Sequence, residues 1–353
     1  MKPVVRGIWY VYPVFKHVSF SVVARKHVEQ LRLRGLRVEQ VDESAFPFIA
    51  ISTFPVVIMH PFFYPFERYE EKIAYRRGRI GAIIGVDVAD SDHITGYAVR
   101  LTGYADVMVV PSSFARESYV RSGVKVPVRV IPHGVDLEFV ESPPSPPSSF
   151  DWIAKIKERE NVRVLGAFIP HSGYRKGEDV LFGLFEGVSR ERRDVVLVLR
   201  GAGDVRVVGS DGGVKASKWV KWMSEEEKKE LLDLVDVFLL TSRGGGFELP
   251  CLEALARRVP SVAARGGAWE DYMPSWGLVS SHRSGVVLEG NPIHDGVGVE
   301  MDLDRGVDKV LEILDDYDEY RGRVEEHVEG VVKKRFTWGV VGGELARVVS
   351  ECL

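Results

Sequence analysis

The densest chemistry in the chain lies at Ser242-Arg-Gly-Gly-Gly-Phe-Glu-Leu-Pro-Cys-Leu-Glu-Ala-Leu-Ala256. It follows an apolar run, Val237-Phe-Leu-Leu-Thr241, with the composition of a short buried strand, and it leads into Leu252-Glu-Ala-Leu-Ala256, a helix start. A strand, a glycine-rich turn and a helix N-terminus present unpaired backbone N–H groups and a positive dipole end, which together can hold an anion. Two glutamates, Glu248 and Glu253, flank that anion site. Carboxylates beside a phosphate site call for a ligand that also carries hydroxyls, and a nucleotide sugar fits both needs. Glu253, one turn into the helix, can accept two hydrogen bonds from a ribose diol; stabilising the helix N-terminus is equally good chemistry for it. Glu248, held between Phe247 and Leu249 in a tight turn, is costly unless paired or ligand-facing. Cys251 reads as a small buried residue rather than a nucleophile.

A second basic turn, Tyr174-Arg-Lys-Gly-Glu-Asp-Val-Leu181, opens another helix. Lys176 is a point charge and Arg175 a planar fork, so the pair can grip a diphosphate from two directions; alone, the segment would read as an ordinary solvated turn. In the first half, Gly85-Val-Asp-Val-Ala-Asp-Ser-Asp-His93 sets Asp87, Asp90, Asp92 and His93 just beyond a strand end. That spacing would allow a divalent metal, but carboxylates at strand ends also cap turns, and a polar loop facing a cleft is the expectation, with no metal. His60, at another strand end, is either a cleft residue or a satisfied core histidine. The aromatics Phe62, Phe63, Tyr64 and Phe66 after it are expected to pack against the body of their domain rather than stack on an acceptor. Gly201-Ala-Gly203 hints at a dinucleotide loop but lacks the third glycine and the following helix.

The elements that must position these residues alternate. In the first half, strands are expected at 4–12, 36–41, 56–59, 80–86, 107–110 and 126–131, with a helix at 22–34 whose apolar positions Val23, His27 and Leu31 recur at helical spacing before Gly35. The proline-rich stretch Glu141-Ser-Pro-Pro-Ser-Pro-Pro-Ser-Ser149 cannot join a sheet interior and marks a linker. The pattern then restarts, with strands at 162–168, 195–199, 237–240 and 260–264 and helices at 178–187, 224–234 and 253–257. Strands separated by helices imply βαβ units, so the fold class is α/β with two doubly wound, Rossmann-like domains facing a central cleft. The boundaries are 1–140 for the first, acceptor-side domain, 141–152 for the linker and 153–335 for the second, nucleotide-sugar-binding domain.

Bulk composition agrees. The 353 residues are 45% hydrophobic and 28% charged, too long for one core and ordinary for a globular protein. A net charge of −4 argues against nucleic acid as a partner. Two cysteines, Cys251 and Cys352, exclude a disulfide framework and suit a reducing cytoplasm. The N-terminal segment lacks the apolar core of a signal peptide, and no run approaches the roughly 20 apolar residues that span a bilayer.

The opening motif resembles the C-terminal signature of the family 4 retaining glycosyltransferases (glycosyl transferases group 1), which have the GT-B fold. Other segments agree in order: Pro111-Ser-Ser-Phe114, Val130-Ile-Pro-His-Gly-Val-Asp136, Arg175-Lys-Gly177, Met223-Ser-Glu-Glu226 and Phe336-Thr-Trp338. The last resembles the start of the family's final helix, here about 336–353, which crosses back to the first domain. The resemblance implies transfer of a sugar from a nucleoside diphosphate donor with retention of configuration and without an essential metal or cofactor. By similarity Lys176 neutralises the departing diphosphate, Glu253 holds the ribose, and backbone N–H groups around Gly246, Phe247 and Leu249 contact phosphate and sugar. Trp222 and Met223 fall where the family packs its base. The acceptor would be a carbohydrate or a lipid-linked molecule. Arg25, Lys26, Arg32 and Arg34 on the first helix would supply a peripheral membrane contact or, more simply, a solvated basic face.

The chain also departs from the family pattern. The family's usual first glutamate falls at Gly245, and Glu248 stands where the family has glycine. Its arginine after the first strand of the second domain falls at Ala167, which leaves the diphosphate to Lys176 with Arg175, His171 or Arg243. The glycine pair of the first loop is absent near Val18 and Ser19, and the family's first-domain histidine falls near Asp87. In the favoured reading Glu248 takes over for the missing glutamate, and Lys176, Glu248 and Asp87 are the catalytic candidates. The alternative is a non-catalytic GT-B subunit that binds a nucleotide sugar or glycan and supports a partner enzyme.

Overall fold

The computed structural model describes residues 7–51, 55–144, 146–171 and 173–353. Within them the chain forms two compact units, one of residues 1–134, 288–296 and 336–353 and one of 135–287 and 297–335.

In the first unit six strands, β1 (Ile8–Tyr12), β2 (Val38–Asp42), β3 (Val56–Met59), β4 (Ala82–Val86), β5 (Val107–Val110) and β6 (Val128–Val130), form one sheet in the order β2-β1-β3-β4-β5-β6. Every neighbouring pair is parallel. Strands β1, β3, β4 and β5 are buried at every position, which is why they read as unbroken apolar runs rather than alternating ones. Helices α1 (Ser19–Leu33), α2 (Phe63–Arg76), α3 (Gly96–Thr102) and α4 (Ser113–Ser122) make the crossovers. Helix α1 buries Val23, Ala24, His27, Val28 and Leu31, the face expected from their spacing. Residues 4–6 of the first expected strand lie outside the described residues.

Helix α5 (Leu137–Glu141) precedes the proline-rich stretch, and α6 (Asp151–Glu160) follows it. The second unit then builds β7 (Arg163–Phe168), α7 (Gly173–Lys176), α8 (Glu178–Glu191), β8 (Val195–Arg200), β9 (Asp204–Gly209), β10 (Val214–Trp219), α9 (Glu225–Asp233), β11 (Val237–Leu240), α10 (Leu249–Ala256), β12 (Ser261–Ala264) and β13 (Leu278–Val279). Its seven strands run in the order β10-β9-β8-β7-β11-β12-β13. The five from β8 to β13 are parallel, while β9 and β10 are antiparallel to their neighbours. That ribbon follows Gly201-Ala-Gly203 where a dinucleotide loop would need a helix, in line with the weak signal there, and Gly201 N–H donates to the Asp204 carbonyl at 2.9 Å to turn the chain back. A two-stranded ribbon, β14 (Ser281–Val286) with β15 (Val297–Met301), leads into α11 (Leu303–Asp315), α12 (Tyr317–His327) and α13 (Lys333–Arg335). Helix α14 (Trp338–Cys352) belongs to the first unit, where it packs on α1.

The unit boundaries differ from the sequence expectation in two respects. Residues 135–140, expected in the first domain, and 141–152, expected as a linker, fall in the second unit. Residues 288–296 join the first unit, because Thr95 donates through its N–H to the Ile293 carbonyl at 2.9 Å and through its hydroxyl to the Pro292 carbonyl at 2.6 Å. His93 Nδ1 lies 2.6 Å from an Asp295 carboxylate oxygen.

Candidate functional site

In the second unit, β11 ends at Leu240 and the chain turns through Gly244, Gly245 and Gly246 into α10. Two arginines fix this turn. The Arg175 carbonyl accepts the Arg243 N–H at 2.7 Å, and Arg175 Nη1 donates to the Gly244 carbonyl at 3.1 Å. Arg243 is buried; its two Nη atoms reach the Asp179 oxygens at 2.7 and 2.6 Å, Nη1 also donates to the Tyr174 carbonyl at 2.8 Å, and Nε donates to Glu300. The Tyr174 ring centroid lies 4.2 Å from the guanidinium. Burial opposes the charge, but Asp179 and Glu300 outweigh it and raise the pKa, so Arg243 stays an arginium with most of its donors spent on protein acceptors. Arg175 and Arg243 therefore brace the turn.

Lys176 closes α7, and Gly177 follows in the left-handed region at φ 66°. A Cβ there would overlap the Thr241 carbonyl oxygen, with the carbonyl carbon only 2.9 Å away, so only glycine lets α7 approach the end of β11. The Lys176 ammonium reaches both oxygens of Glu248, at 2.6 and 2.5 Å. Both side chains are nearly enclosed, 11% and 4% exposed.

Glu248 is the residue before α10 and is itself left-handed, at φ 66° and ψ 65°. Its side chain folds back over the turn: a Cβ on Gly245 would overlap Glu248 Oε1 and lie 3.0 Å from Cδ and 3.2 Å from Cγ. The Tyr272 hydroxyl, donating toward the carbonyls of Phe247 (2.9 Å) and Glu248 (2.8 Å), pins the backbone there. Helix α10 starts at Leu249, four residues before the expected 253, because the left-handed turn at Glu248 and Pro250 in the first turn set its entry. Cys251 is buried, which pushes its thiol up to about 12 and suits an inert packing residue.

Glu253, one turn into α10, sits 2.5 Å from Lys228 of α9, which also pairs with Glu225 at 2.9 Å. Burial works against the Lys228 charge, yet Glu253 and Glu225 raise its pKa. The sequence marks Lys228 only through the Ser224 to Glu227 capping box that fixes the start of α9. Just before that box, Trp222 is 52% exposed and Met223 is buried.

Asp87 lies in the first unit, at the end of β4. It accepts the Phe63 N–H at 3.0 Å and the Val88 N–H at 2.8 Å, so it caps α2. Burial raises its pKa to about 7, against the pull of those two N–H groups. Among the described residues no group of His, Cys, Asp and Glu has the arrangement of a metal site. Phe62, Phe63 and Phe66 are core residues, and so is His60. The Tyr10 hydroxyl lies 2.7 Å from His27 Nδ1 and 3.3 Å from His60 Nδ1. One hydroxyl proton cannot serve both, so at least one ring carries its proton on Nδ1. Burial lowers His27 to about 3, lowers His133 to about 3, and holds His60 well below its ordinary value.

Uncharacterized protein 356 of Sulfolobus islandicus rod-shaped virus 1 is 31% identical over 365 aligned positions, covering 98% of this chain and 99% of that one. A family profile described as Glycosyl transferases group 1 matches residues 159–292, the span that holds Lys176, Glu248 and Glu253. The chain belongs to the group 1 glycosyl transferases. It is thereby an enzyme of glycosyl transfer. Two solved structures share the fold of this group 1 glycosyltransferase. Anabaena Alr3699/HepE, in complex with UDP and glucose, superposes with a TM-score of 0.64 at 12% identity over 98% of this chain and 99% of that one. Sucrose-phosphate synthase from Thermosynechococcus elongatus superposes with a TM-score of 0.68 at 13% identity over the same shares. Both likenesses are to the GT-B fold. Among the described residues no helix is long and apolar enough to cross a membrane.

Proposed function

We propose that this group 1 glycosyltransferase is a family 4 type enzyme that moves a sugar from a nucleoside diphosphate sugar to a carbohydrate or lipid-linked acceptor, with retention of configuration and without an essential metal. The observation that carries the reading is the convergence, inside one unit, of Lys176, the N-terminus of α10 and Glu253. Fixed positive charge at Lys176 and the helix N-terminus stabilises the diphosphate as negative charge develops on it, and it needs no reorganisation at that moment. Glu253 accepts the ribose hydroxyls, Trp222 and Met223 pack the base, and backbone N–H groups at 246–249 meet phosphate and sugar. The bound UDP and glucose of Anabaena HepE support a donor of this class. Donor binding then belongs to the region 153–335, acceptor binding to 1–140, and the working compartment is the cytoplasm. With a lipid-linked acceptor, Arg25, Lys26, Arg32 and Arg34 on α1 provide a peripheral contact to an anionic surface.

A thermal-shift series with UDP, GDP and ADP and their hexose conjugates tests this reading, since a ligand that binds only the folded chain must raise its melting temperature. One base series should stabilise the protein, and Lys176→Ala should weaken that ligand about 10- to 100-fold, as expected for loss of a charged hydrogen bond. A flat response to all of them would overturn the assignment.

A further inference from the structure

A second group of charges belongs to the first unit. Glu43, the residue after β2, is buried, at 2% exposure. Its Oε1 accepts from the Lys16 ammonium at 2.9 Å and from Arg68 Nη1 at 3.1 Å. Among the described residues its Oε2 has no partner, and neither cation pairs with another carboxylate. Burying a carboxylate is costly unless it is paired, and a buried acceptor left without a donor is uncommon enough to mark a place the chain's own groups do not complete. Here one buried negative charge serves two cations whose side chains are themselves 54% and 48% exposed. Each cation is held. The turn that carries Lys16 is braced by the Val14 N–H, which donates to Asp42 Oδ2 at 3.1 Å, and by the Ser21 hydroxyl, which donates to the Pro13 carbonyl at 2.7 Å. Arg68 lies one turn beyond Tyr64 on α2, its guanidinium 5.7 Å from the Tyr64 ring centroid, and Phe20 packs edge-on against that ring at 5.6 Å. Lys16 follows β1, Glu43 follows β2 and Arg68 sits on the helix after β3, so the three gather at the carboxyl ends of the strands where the order β2-β1-β3 changes direction. Open parallel sheets bind ligands at such a point.

We propose that Lys16 and Arg68 bind a phosphate monoester carried by the acceptor, and that Glu43 holds the two cations together for it. This rests on the assignment of acceptor binding to the region 1–140 made above, and it names the acceptor's chemical class. An ammonium and a guanidinium that converge on one carboxylate oxygen stand close enough for a single anionic group to bridge them. A phosphate monoester brings about −1.5 to −2 of charge near pH 7 and three acceptor oxygens. That suits a point charge and a planar fork acting together. A carboxylate, with one charge and two oxygens, is the poorer match. Because both cations are half exposed and Glu43 is not, the ligand adds to the pair from the solvent side while the buried carboxylate stays bonded behind it. Two positive charges against one negative leave the trio attractive to an anion, and a neutral acceptor gains nothing from it.

Calorimetry on the full chain tests this with glucose 6-phosphate against glucose and glucuronate, and with geranyl phosphate against geraniol. The proteins are the unmodified chain, Lys16→Ala, Arg68→Ala, and the triple change Lys16→Ala, Arg68→Ala and Glu43→Gln, which strands no buried charge. One phosphate ester should bind at least about tenfold tighter than its uncharged parent, the worth of a charged hydrogen bond. Preference for glucose 6-phosphate would make the acceptor a soluble sugar phosphate, and preference for geranyl phosphate would make it a lipid phosphate. Each single substitution should cost that ester about tenfold, and the triple change should erase its advantage, while the affinity for UDP, GDP or ADP measured in the same proteins stays as it was. The proposal is wrong if neither ester outbinds its parent, if glucuronate binds as tightly as the preferred ester, or if the single variants, folded by circular dichroism, keep the preference. Should the triple variant fail to fold, the single variants decide alone. If the substitutions weaken the nucleoside diphosphate and spare the ester, the pair serves the donor and the acceptor class falls. Ester binding that depends on this pair, in a protein that binds no nucleotide, would overturn the donor reading alone, which separates the two failures.

Discussion

Acidification from pH 7.5 to 5.5 should destabilise the first unit by about 2 kcal/mol, and the Asp87→Asn variant by about twice as much. Each of His27, His60 and His133 takes up a proton near pH 6.5 once unfolded, but is buried neutral in the fold, at about 3 for His27 and His133 and well below 6.5 for His60. A depressed folded pKa gives stability that is complete above 6.5 and is lost as the pH falls toward the folded value. At pH 5.5 the loss depends only on the folded values lying well below that pH; it is about 1.4 kcal/mol per histidine and about 4 kcal/mol for the three. Asp87 acts in the opposite sense. Burial raises it to about 7 from 3.8, so the fold holds a proton the unfolded chain has released, and its contribution is present at low pH and lost as the pH rises through about 7. Acidification over the same window returns about 2 kcal/mol through Asp87. Asparagine can still accept the Phe63 N–H but cannot titrate, so the substitution strips out the compensation and exposes the full histidine effect. Hydrogen exchange of peptides from α1 and β3, corrected for intrinsic rates, reports this unit separately from the other. A stability in Asp87→Asn that changes by less than about 1 kcal/mol between the two pH values would refute the neutral, buried cluster. A steeper loss in the unmodified protein than in the variant would refute the assignment to Asp87.

Two further outcomes follow from the second unit. Arg243→Met should lower stability by about 1–3 kcal/mol, because charged hydrogen bonds to Asp179, Glu300 and the Tyr174 carbonyl are lost while both carboxylates stay open to water; thermal melting should record a drop of roughly 5 °C, and Arg243→Lys, which cannot span both carboxylates, should recover only part of it. Gly177→Ala should cost about 1–3 kcal/mol from overlap with the Thr241 carbonyl. Calorimetry should show nucleotide affinity falling with it, since Lys176 rides on the same turn, whereas an affinity unchanged in a destabilised protein would place Lys176 away from the ligand.

Much of the second unit could be read from the chain because its signals are local. The run Val237-Phe-Leu-Leu240 is apolar on both faces because β11 lies between β7 and β12, and the glycines after it, followed by Pro250, announce a turn and a helix entry. What stayed hidden is set by partners distant in sequence. Nothing near Arg243 shows that Asp179 and Glu300 will consume its donors, and nothing near Glu253 points to Lys228. Strand β10 is hidden in the sequence because Val214-Lys-Ala-Ser-Lys-Trp219 is exposed at nearly every position and carries too little apolar alternation to read as a strand. His27 was legible as a core position of α1, but its convergence with His60 and His133 depends on α1, β3 and the segment after β6 meeting at one place. The left-handed backbone of Glu248 could not be read at all, since φ preferences would put glycine, asparagine or aspartate there before a glutamate.

The cations of the candidate site share one feature that bears on what can bind. Lys176 comes with Glu248, Lys228 with Glu253, and Arg243 with Asp179 and Glu300. A free phosphate meeting this site would gain a lysine only by setting a carboxylate loose beside its own charge. A neutral sugar would offer hydroxyls to carboxylates already satisfied by their lysines. A ligand that carries phosphates and hydroxyls on one frame resolves both difficulties together: its phosphates take the lysine, and its hydroxyls take the carboxylate that the lysine releases. Pairing each cation with carboxylates therefore works as a filter. It discriminates through the cost of stranding a buried charge rather than through added attraction, which supports the nucleoside diphosphate sugar proposed above as donor.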